Sequence, residues 1–130
     1  MQFLFKKFIF FCLVGGIGVI IETFSFNILL ISGLIFSKSK VIALVISITF
    51  VFFTNRRLTF LAHDLKITPQ ILKFLLVYSF AILVNFLISL LVKFYLGGGI
   101  LESNLASFVG IVCALPISFF GSNFWVFKDK

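Results

Sequence analysis

Charged and chemically reactive side chains are scarce in this chain. Only 12 % of its 130 residues are charged, and it has four acids, one histidine and two cysteines. Paired carboxylates, a Ser-His or Cys-His arrangement or a metal cluster cannot be assembled from so few groups, which argues against an enzyme. We therefore expect no catalytic residue, no metal site and no cofactor, and we predict that His63 is a solvated loop residue.

Apolar residues dominate instead, at 62 % of the chain, whereas soluble domains average roughly 45–50 %. A helix needs about 20 predominantly apolar residues to cross a hydrocarbon core, and four stretches approach that length: 8–32, 41–60, 73–96 and 104–125. The first stretch has no small-residue cleavage site, so we assign it to a span and not to a signal peptide. The sequence thus predicts an all-α integral membrane protein with four transmembrane helices. Cys12 and Cys113 fall within these spans, where we expect packing and no disulfide.

The second half of the chain echoes the first. The endings Asn55-Arg56-Arg57-Leu58-Thr59-Phe60 and Ser122-Asn123-Phe124-Trp125-Val126-Phe127 lie 67 positions apart. We interpret this echo as an internal duplication that gives two tandem two-helix repeats, about 1–60 and about 68–130, within a single transmembrane domain over 1–130. Internal repeats in membrane proteins typically build a site, which points to transport or lipid handling. The same shift pairs Ser39, Ala43, Ser47 and Asn55 with Ala106, Gly110, Ala114 and Ser122.

Most of the 11 basic residues fall on one side of the predicted membrane. By the positive-inside rule, this bias predicts a multi-pass protein of the cytoplasmic (inner) membrane with both termini in the cytoplasm. The two repeats then run in the same direction. The net charge of +7 indicates contact with anionic membrane lipids and no nucleic-acid partner. The predicted inner side carries Lys6, Lys7, Arg56, Arg57, Lys66, Lys73, Lys128 and Lys130, and the outer side carries Lys38, Lys40 and Lys93.

The first span carries a carboxyl at mid-membrane depth. Glu22 shares one helical face with Gly15, Gly18 and Ser25. A carboxyl at that depth is too costly to leave facing lipid, and glycines permit close backbone approach, so this face is predicted to look into protein. Glu22 is open to three interpretations: proton coupling, sugar binding, or a neutral hydrogen bond to a neighbouring helix.

The third span carries an amide in the equivalent place. When Phe74-Leu75-Leu76-Val77 is aligned with Phe11-Cys12-Leu13-Val14, Asn85 falls opposite Glu22. Both repeats therefore place a polar group at mid-membrane depth. We expect the Glu22 carboxyl to point towards Asn85.

Small residues and turn residues divide the remaining sequence. Ser37-Lys38-Ser39-Lys40 and Gly97-Gly98-Gly99 are predicted to form the outer connections, and Pro69 is suited to the start of the third helix. Pro116 is predicted to kink the fourth span. That span also carries a stripe of small residues at intervals of four, which predicts tight packing along a neighbouring helix: Ala106, Gly110, Ala114, Ser118 and Ser122.

The two endings supply most of the candidate substrate-binding residues. Arginine binds phosphate oxygens in bidentate fashion, and asparagine can serve sugar hydroxyls. Tryptophan offers a flat face to a sugar ring, although tryptophan and basic residues at a span end are also ordinary membrane anchors. With the two polar residues within the spans, the candidate set is Glu22, Asn55, Arg56, Arg57, Asn85, Ser122, Asn123 and Trp125.

Four pieces of the sequence, in their order and spacing, resemble the GtrA-like family of small four-span membrane proteins. The resemblance covers essentially the whole chain. It implies a role in cell-surface polysaccharide or teichoic-acid glycosylation, often attributed to flipping a polyprenyl-phosphate-linked sugar made by a partner membrane glycosyltransferase. A second copy of the chain is left open as a further partner. The pieces are Phe11-Cys12-Leu13-Val14-Gly15-Gly16, Asn55-Arg56-Arg57-Leu58-Thr59-Phe60, Lys73-Phe74-Leu75-Leu76-Val77 and Asn123-Phe124-Trp125-Val126-Phe127.

The second ending departs from the family pattern. The usual Asn-Arg pair is intact at Asn55-Arg56 but becomes Ser122-Asn123 in the second copy. The asparagine often found four positions earlier is Val51 in the first repeat and Ser118 in the second. The second repeat has thus lost a cation, and any phosphate clamp is expected to be lopsided towards Arg56 and Arg57.

Three functions are compatible with these features to different degrees. The first is a flippase for a lipid-linked monosaccharide. The second is a non-transporting subunit that anchors or positions a membrane glycosyltransferase, which the small-residue stripe and the basic inner face would serve equally well. The third is a small multidrug exporter, which also has four spans and a first-span glutamate. The clear basic bias and the Asn-Arg ending count against the exporter.

The predicted topology can be tested by cysteine labelling. If Ser37 lies outside and Lys66 inside, a membrane-impermeant thiol reagent should label a cysteine at position 37 in intact cells but not one at position 66. Labelling of both positions from the same face of intact cells would contradict the topology.

Overall fold

Four long helices form most of the chain in the computed structural model, which describes residues 1–97 and 99–128 and, of Ile100, the backbone alone. No β-strand occurs in those ranges. All four helices are long and apolar enough to cross a membrane, which confirms the predicted fold class. The helices are α1 (Gln2–Ile31), α2 (Phe36–Thr54), α3 (Ile67–Leu96) and α4 (Ile100–Gly121), and two five-residue π-helical turns follow: the first π turn (Asn55–Thr59) after α2 and the second π turn (Ser122–Val126) after α4.

The connections differ in detail from those predicted. The prediction that residues 37–40 form the outer turn was wrong, because α2 already begins at Phe36 and the chain reverses just before it. Gly33 has a φ of 88°, a left-handed conformation that glycine adopts without steric cost. Pro69 lies in the first turn of α3, as predicted. Gly97 ends α3 with a φ of 102°, while Gly98 and Lys130 lie outside the described residues.

The helices begin earlier than the apolar stretches do. α1 starts at Gln2 and α3 at Ile67, ahead of the predicted spans 8–32 and 73–96. The added turns of α1 contain Lys6 and Lys7, which lower hydropathy although lysine is a good helix former, and those of α3 contain the polar residues Thr68 and Gln70. The Nζ of Lys7 lies 4.7 Å from the centroid of the Phe3 ring, so its charge faces an aromatic side chain. Hydropathy therefore locates the spans but not the ends of these helices.

The chain divides into two compact units, Met1–His63 and Asp64–Lys130. In the first unit, α1 packs against α2 as a helical hairpin. Gly18 and Ser47 are buried where the two helices meet, and the Ser47 hydroxyl donates a hydrogen bond to the Gly18 carbonyl over 2.6 Å. A Cβ at Gly18 would collide with Val51, whereas one at Gly15 would meet no atom within 4 Å. The close approach predicted for both glycines therefore occurs at Gly18 alone.

In the second unit, α3 packs against α4 in the same manner. A Cβ at Gly110 would meet the side chains of Asn85 and Ser89 and the Asn85 carbonyl, and one at Gly121 would meet Val77 at 2.7 Å. The small-residue stripe of α4 is thus in contact with α3. Its members Ala106, Gly110, Ala114, Ser118 and Ser122 are all buried.

The two units bury equivalent positions. Buried positions of α1 correspond to positions 63 residues later in α3, and those of α2 and the first π turn correspond to positions 67 residues later. Each unit also contains a contact between two phenylalanine rings, one near the start of its first helix and one just after its π turn. Ring centroids are 6.1 Å apart for Phe11 and Phe60 and 6.3 Å apart for Phe74 and Phe127. The protein is therefore built from two tandem two-helix repeats, while the single domain over 1–130 stays a prediction. The buried pairs are Val14 and Val77, Gly18 and Ala81, Ser39 and Ala106, Ala43 and Gly110, Ser47 and Ala114, and Asn55 and Ser122.

We expect Gly110→Ala to destabilise the second unit. The added methyl group has backbone as well as side chains in its way, and overpacking typically costs about 1–3 kcal/mol. Gly16→Ala is the matched control, because a Cβ there meets nothing within 4 Å and alanine favours a helix by about 1 kcal/mol over glycine. In detergent, the unfolding midpoint of Gly110→Ala should be lower than that of wild type, and the midpoint of Gly16→Ala should equal or exceed it. Equal midpoints for the two variants would contradict the packing described.

Candidate functional site

The first π turn ends α2 with a buried amide. Asn55 is fully buried, and its Oδ1 accepts a hydrogen bond of 2.8 Å from the Thr59 hydroxyl. The Phe60 N–H donates to the Asn55 carbonyl over 2.9 Å, the i→i−5 bond that defines a π-helix. Within the described ranges, Asn55 Nδ2 has no hydrogen-bond partner. Asn55 therefore braces the turn, and its side chain is buried in this conformation.

The two arginines of the first ending have different surroundings. Arg56 Nη2 donates a hydrogen bond of 2.7 Å to the His63 carbonyl, and the Ala62 N–H donates to the Arg56 carbonyl over 2.8 Å. Arg56 thus holds the chain that leaves the π turn. Arg57 is exposed and lines a pocket of about 500 Å³ with Phe53, Thr54 and Leu58. A cation beside a hydroxyl and apolar side chains suits an amphiphilic anion.

The second π turn has Ser122 and Asn123 at the positions of Asn55 and Arg56, and it contains no arginine. Ser122 stands in the place of Asn55 and is fully buried, and its hydroxyl has no hydrogen-bond partner within the described part of the chain. Asn123 is half-buried. Trp125 is 47 % exposed, so its ring remains available to a ligand. Lys73 lies beside it, with its Nζ 3.5 Å from the Trp125 carbonyl oxygen and 5.7 Å from the ring centroid.

The second unit also contains a pocket that the sequence analysis did not identify. Its volume is about 400 Å³, and we call it the lysine pocket. It lies where the start of α3 meets the end of the second π turn. Three cations and one carboxyl line it together with uncharged side chains: Asp64, Leu65, Lys66, Pro69, Gln70, Lys73, Val126 and Lys128.

Part of this pocket had a signal in the sequence. Lys66, Pro69, Gln70 and Lys73 are spaced by three, four and seven positions, which places them on one helical face. The positive-inside rule uses only the membrane side of each basic residue, so it does not reveal that these residues share a helical face. Lys128 joins them only through the fold.

Glu22 has a cationic partner. Lys40 Nζ lies 2.6 Å from Glu22 Oε1, and the two side chains are 54 % and 21 % exposed respectively. Lys40, predicted to belong to the outer turn, lies in the first turns of α2 and reaches Glu22 from there. The pair gives the carboxyl a charged partner within a helix that is long and apolar enough to cross a membrane. The expected approach of Glu22 to Asn85 stays a prediction, since the two residues belong to different units.

Asn85 lines a smaller pocket within the second unit. The Ser89 hydroxyl donates to Asn85 Oδ1 over 3.2 Å, and the pocket, of about 150 Å³, has both apolar and polar walls. A recess lined mostly by apolar side chains with a few polar groups can hold part of an amphiphilic ligand. Its lining residues are Tyr78, Ala81, Ile82, Asn85, Ile111, Ala114, Leu115 and Ser118.

These features have a counterpart among known families. The sequence matches the family described as GtrA/DPMS, transmembrane domain, over residues 10–127. The chain belongs to this family. A comparison with curated protein sequences gives no match. Membership identifies a GtrA-like membrane protein associated with glycosylation and the handling of lipid-linked sugars.

The GtrA-like chain offers ligand-binding groups. Arg57, Trp125 and the lysine pocket present cations and an aromatic face near the ends of apolar helices. Among the described residues, no group of three or more His, Cys, Asp or Glu side chains comes together, so we assign none of them to a metal. The binding roles assigned from sequence to Glu22, Asn55, Arg56, Arg57, Asn85, Ser122, Asn123 and Trp125 stay predictions.

Replacing one partner of the Glu22–Lys40 pair should cost more stability than replacing both. Lys40→Gln leaves a carboxylate at membrane depth without its cation, whereas the double variant Glu22→Gln with Lys40→Gln leaves no charge. Contacting residues of this kind couple by roughly 0.5–3 kcal/mol. A double-mutant cycle of unfolding free energies in detergent measures the coupling, with exposed Lys38→Gln as the control. Additive effects of the two substitutions would show that the pair does not stabilise the first unit.

Proposed function

We propose that the protein translocates a polyprenyl-phosphate-linked monosaccharide across the cytoplasmic membrane for cell-surface polysaccharide glycosylation. Both termini would then lie in the cytoplasm, on the side where a partner membrane glycosyltransferase makes the lipid-linked sugar. The protein would perform no bond chemistry of its own. Family membership supports the substrate class, and the cation-bearing pockets support the binding of its head group.

The physical problem of translocation divides the substrate into three parts. The polyprenyl tail is stable in the bilayer, while the phosphate charge costs several kcal/mol or more to bring into hydrocarbon. The sugar needs hydrogen-bond partners to replace water. A protein that moves this lipid must therefore supply a cation for the phosphate and polar groups for the sugar along the route that the head group takes across the membrane. The tail needs no such groups because it stays in the bilayer.

The observation that carries the proposal is the pocket around Arg57. Arg57 and Thr54 line this pocket at the end of α2 together with Phe53 and Leu58. Arginine can bind a phosphate through two parallel hydrogen bonds, and the apolar neighbours suit the first units of a lipid tail. Arg56 supports this site indirectly, because its contact with the His63 carbonyl holds the adjoining turn.

The alternative is a non-transporting subunit that anchors or positions the glycosyltransferase. Its sequence support was the small-residue stripe of α4 together with the basic inner face. The stripe is buried and in contact with α3 at Gly110. Docking of a partner would therefore need another surface. We keep this function as the alternative that would be favoured if the purified protein moves no lipid-linked sugar.

Substitution of Arg57 tests the flippase proposal. Loss of a hydrogen-bonded contact to a charged group should weaken phosphate binding by about 1.5–3 kcal/mol, or roughly 10- to 150-fold, in Arg57→Ala. Arg57→Lys should restore part of the activity, since lysine keeps the charge but not the planar donor pair. The measurements are translocation of the lipid-linked sugar in proteoliposomes and surface glycosylation in cells at equal expression.

Two controls separate binding from folding. Lys38→Ala removes an exposed cation near the start of α2 and should leave translocation unchanged. Arg56→Ala should lower the unfolding midpoint, whereas Arg57→Ala should not. Wild-type translocation and glycosylation in Arg57→Ala would reduce this arginine to a membrane anchor.

A further inference from the structure

The lysine pocket of the second unit has the charge of an anion site. It brings Lys66, Lys73 and Lys128 to one cavity of about 400 Å³, against the single carboxyl of Asp64. Lys66 and Lys128 are exposed, and within the described residues neither has an ion-pair partner. Three ammonium groups repel one another unless an anion lies between them. The cavity therefore favours an anionic occupant.

The start of α3 adds to this preference. The helix begins at Ile67 with Lys66 as its N-cap residue, with no acid in its first turn and no side-chain cap hydrogen bond. Backbone N–H groups at a helix N-terminus carry partial positive charge and attract anions. Pro69 and Gln70, both in the first turn of α3, line the same cavity as the lysines.

The place of the pocket in the unit indicates a lipid anion. α3 and α4 are both long and apolar enough to span a membrane, and the pocket lies at the end of the hairpin where α3 begins. Leu65, Pro69 and Val126 give it apolar walls beside its charges. A lipid phosphate at the membrane interface matches both features, since its phosphate can contact the charges and its acyl or prenyl chain can contact the apolar walls. A free ion would make no favourable contact with the apolar walls.

We propose that the lysine pocket binds the phosphate group of a membrane lipid, with Lys66, Lys73 and Lys128 as its cationic ligands. These residues lie outside the repeated ending and supply the positive charge that Ser122 and Asn123 do not. The assignment of this lipid as the polyprenyl sugar carrier rests on the proposed function. Binding of a lipid phosphate does not.

Lys73 links the pocket to an aromatic face. Its Nζ lies 5.7 Å from the centroid of the Trp125 ring and 3.5 Å from the Trp125 carbonyl oxygen. A phosphate held by Lys73 would thus have a half-exposed indole next to it. A sugar attached to that phosphate can stack on the ring, which gives the carrier two adjoining contacts within one unit.

Binding of polyprenyl monophosphate to the purified full-length chain in detergent tests the proposal. The test variant is Lys66→Gln with Lys73→Gln and Lys128→Gln, and the matched control is Lys38→Gln with Lys93→Gln, since Lys93 lies in the last turn of α3, at its opposite end. We expect the triple variant to lose at least about tenfold in affinity and the control to bind as wild type does. Equal affinity of the triple variant and wild type would overturn the proposal.

Three further ligands identify the source of the anion. A prenol of the same chain length, which lacks the phosphate, should bind weakly to wild type and should not distinguish the variants. Inorganic phosphate should compete poorly, and competition as strong as that of the lipid would overturn the lipid assignment. Phosphatidylglycerol that competes as well as polyprenyl phosphate would support a lipid phosphate site and overturn its assignment to the carrier.

Folding and function can be separated in the same set. If the triple variant does not fold, Lys66→Gln and Lys128→Gln are measured singly, and each should lower affinity severalfold because both side chains are exposed. If wild type binds polyprenyl phosphate through the lysines but moves no lipid-linked sugar, the proposed lipid-phosphate site is supported and the flippase proposal fails. If translocation occurs and the triple variant still binds as wild type does, the pocket proposal fails alone.

Discussion

Close approach of two helix backbones along a line of small residues holds each hairpin together. Lipid gives no hydrophobic drive for one apolar helix to join another, so packing and interhelical hydrogen bonds must supply the association. Gly18 and Ser47 meet this need in the first unit through a direct hydrogen bond, and Gly110 meets it in the second through contact with the Asn85 backbone. A larger side chain at either glycine would separate the helices and shift everything beyond them.

The position of the charged groups depends on how each line of small residues ends. Asn55 and Ser122 are the last members, both fully buried, and a π turn begins at each. In the first unit this turn leaves Arg57 exposed and brings Arg56 to the His63 carbonyl. In the second unit the equivalent turn carries no arginine, and three lysines line a nearby pocket instead: Lys66 just before α3, Lys73 within α3 and Lys128 after the second π turn. The two repeats thus share a scaffold and differ in where their cations come from.

Much of this scaffold could be predicted from the sequence because membrane crossing imposes length and composition directly. The four apolar stretches correspond to the four helices of the structure. The residues paired by the 67-residue echo occupy equivalent buried positions, because both repeats need small residues where their two helices meet. The π turns could not be predicted, because a shift from i→i−4 to i→i−5 bonding leaves no pattern in so short a segment. The turn before α2 lies earlier in the chain than predicted, because Lys38 and Lys40 are charged but lysine is a good helix former and both belong to α2.

The candidate site was predictable only in part. The sequence identified Arg57 and Trp125 by residue type, but it treated Arg56 and Arg57 alike, and only the fold distinguishes the one that contacts the backbone from the one that lines a pocket. The ion pair of Glu22 with Lys40 and the contribution of Lys128 to the lysine pocket join residues distant in sequence, which no local spacing reveals.

The central claim is that this chain alone moves a lipid-linked sugar. The most direct test is to reconstitute the purified protein without a glycosyltransferase and to measure how fast polyprenyl-phosphate-linked sugar in the inner leaflet becomes accessible from outside the vesicle. The account predicts rapid, protein-dependent exposure, and vesicles with the protein that expose the sugar no faster than empty ones would contradict it.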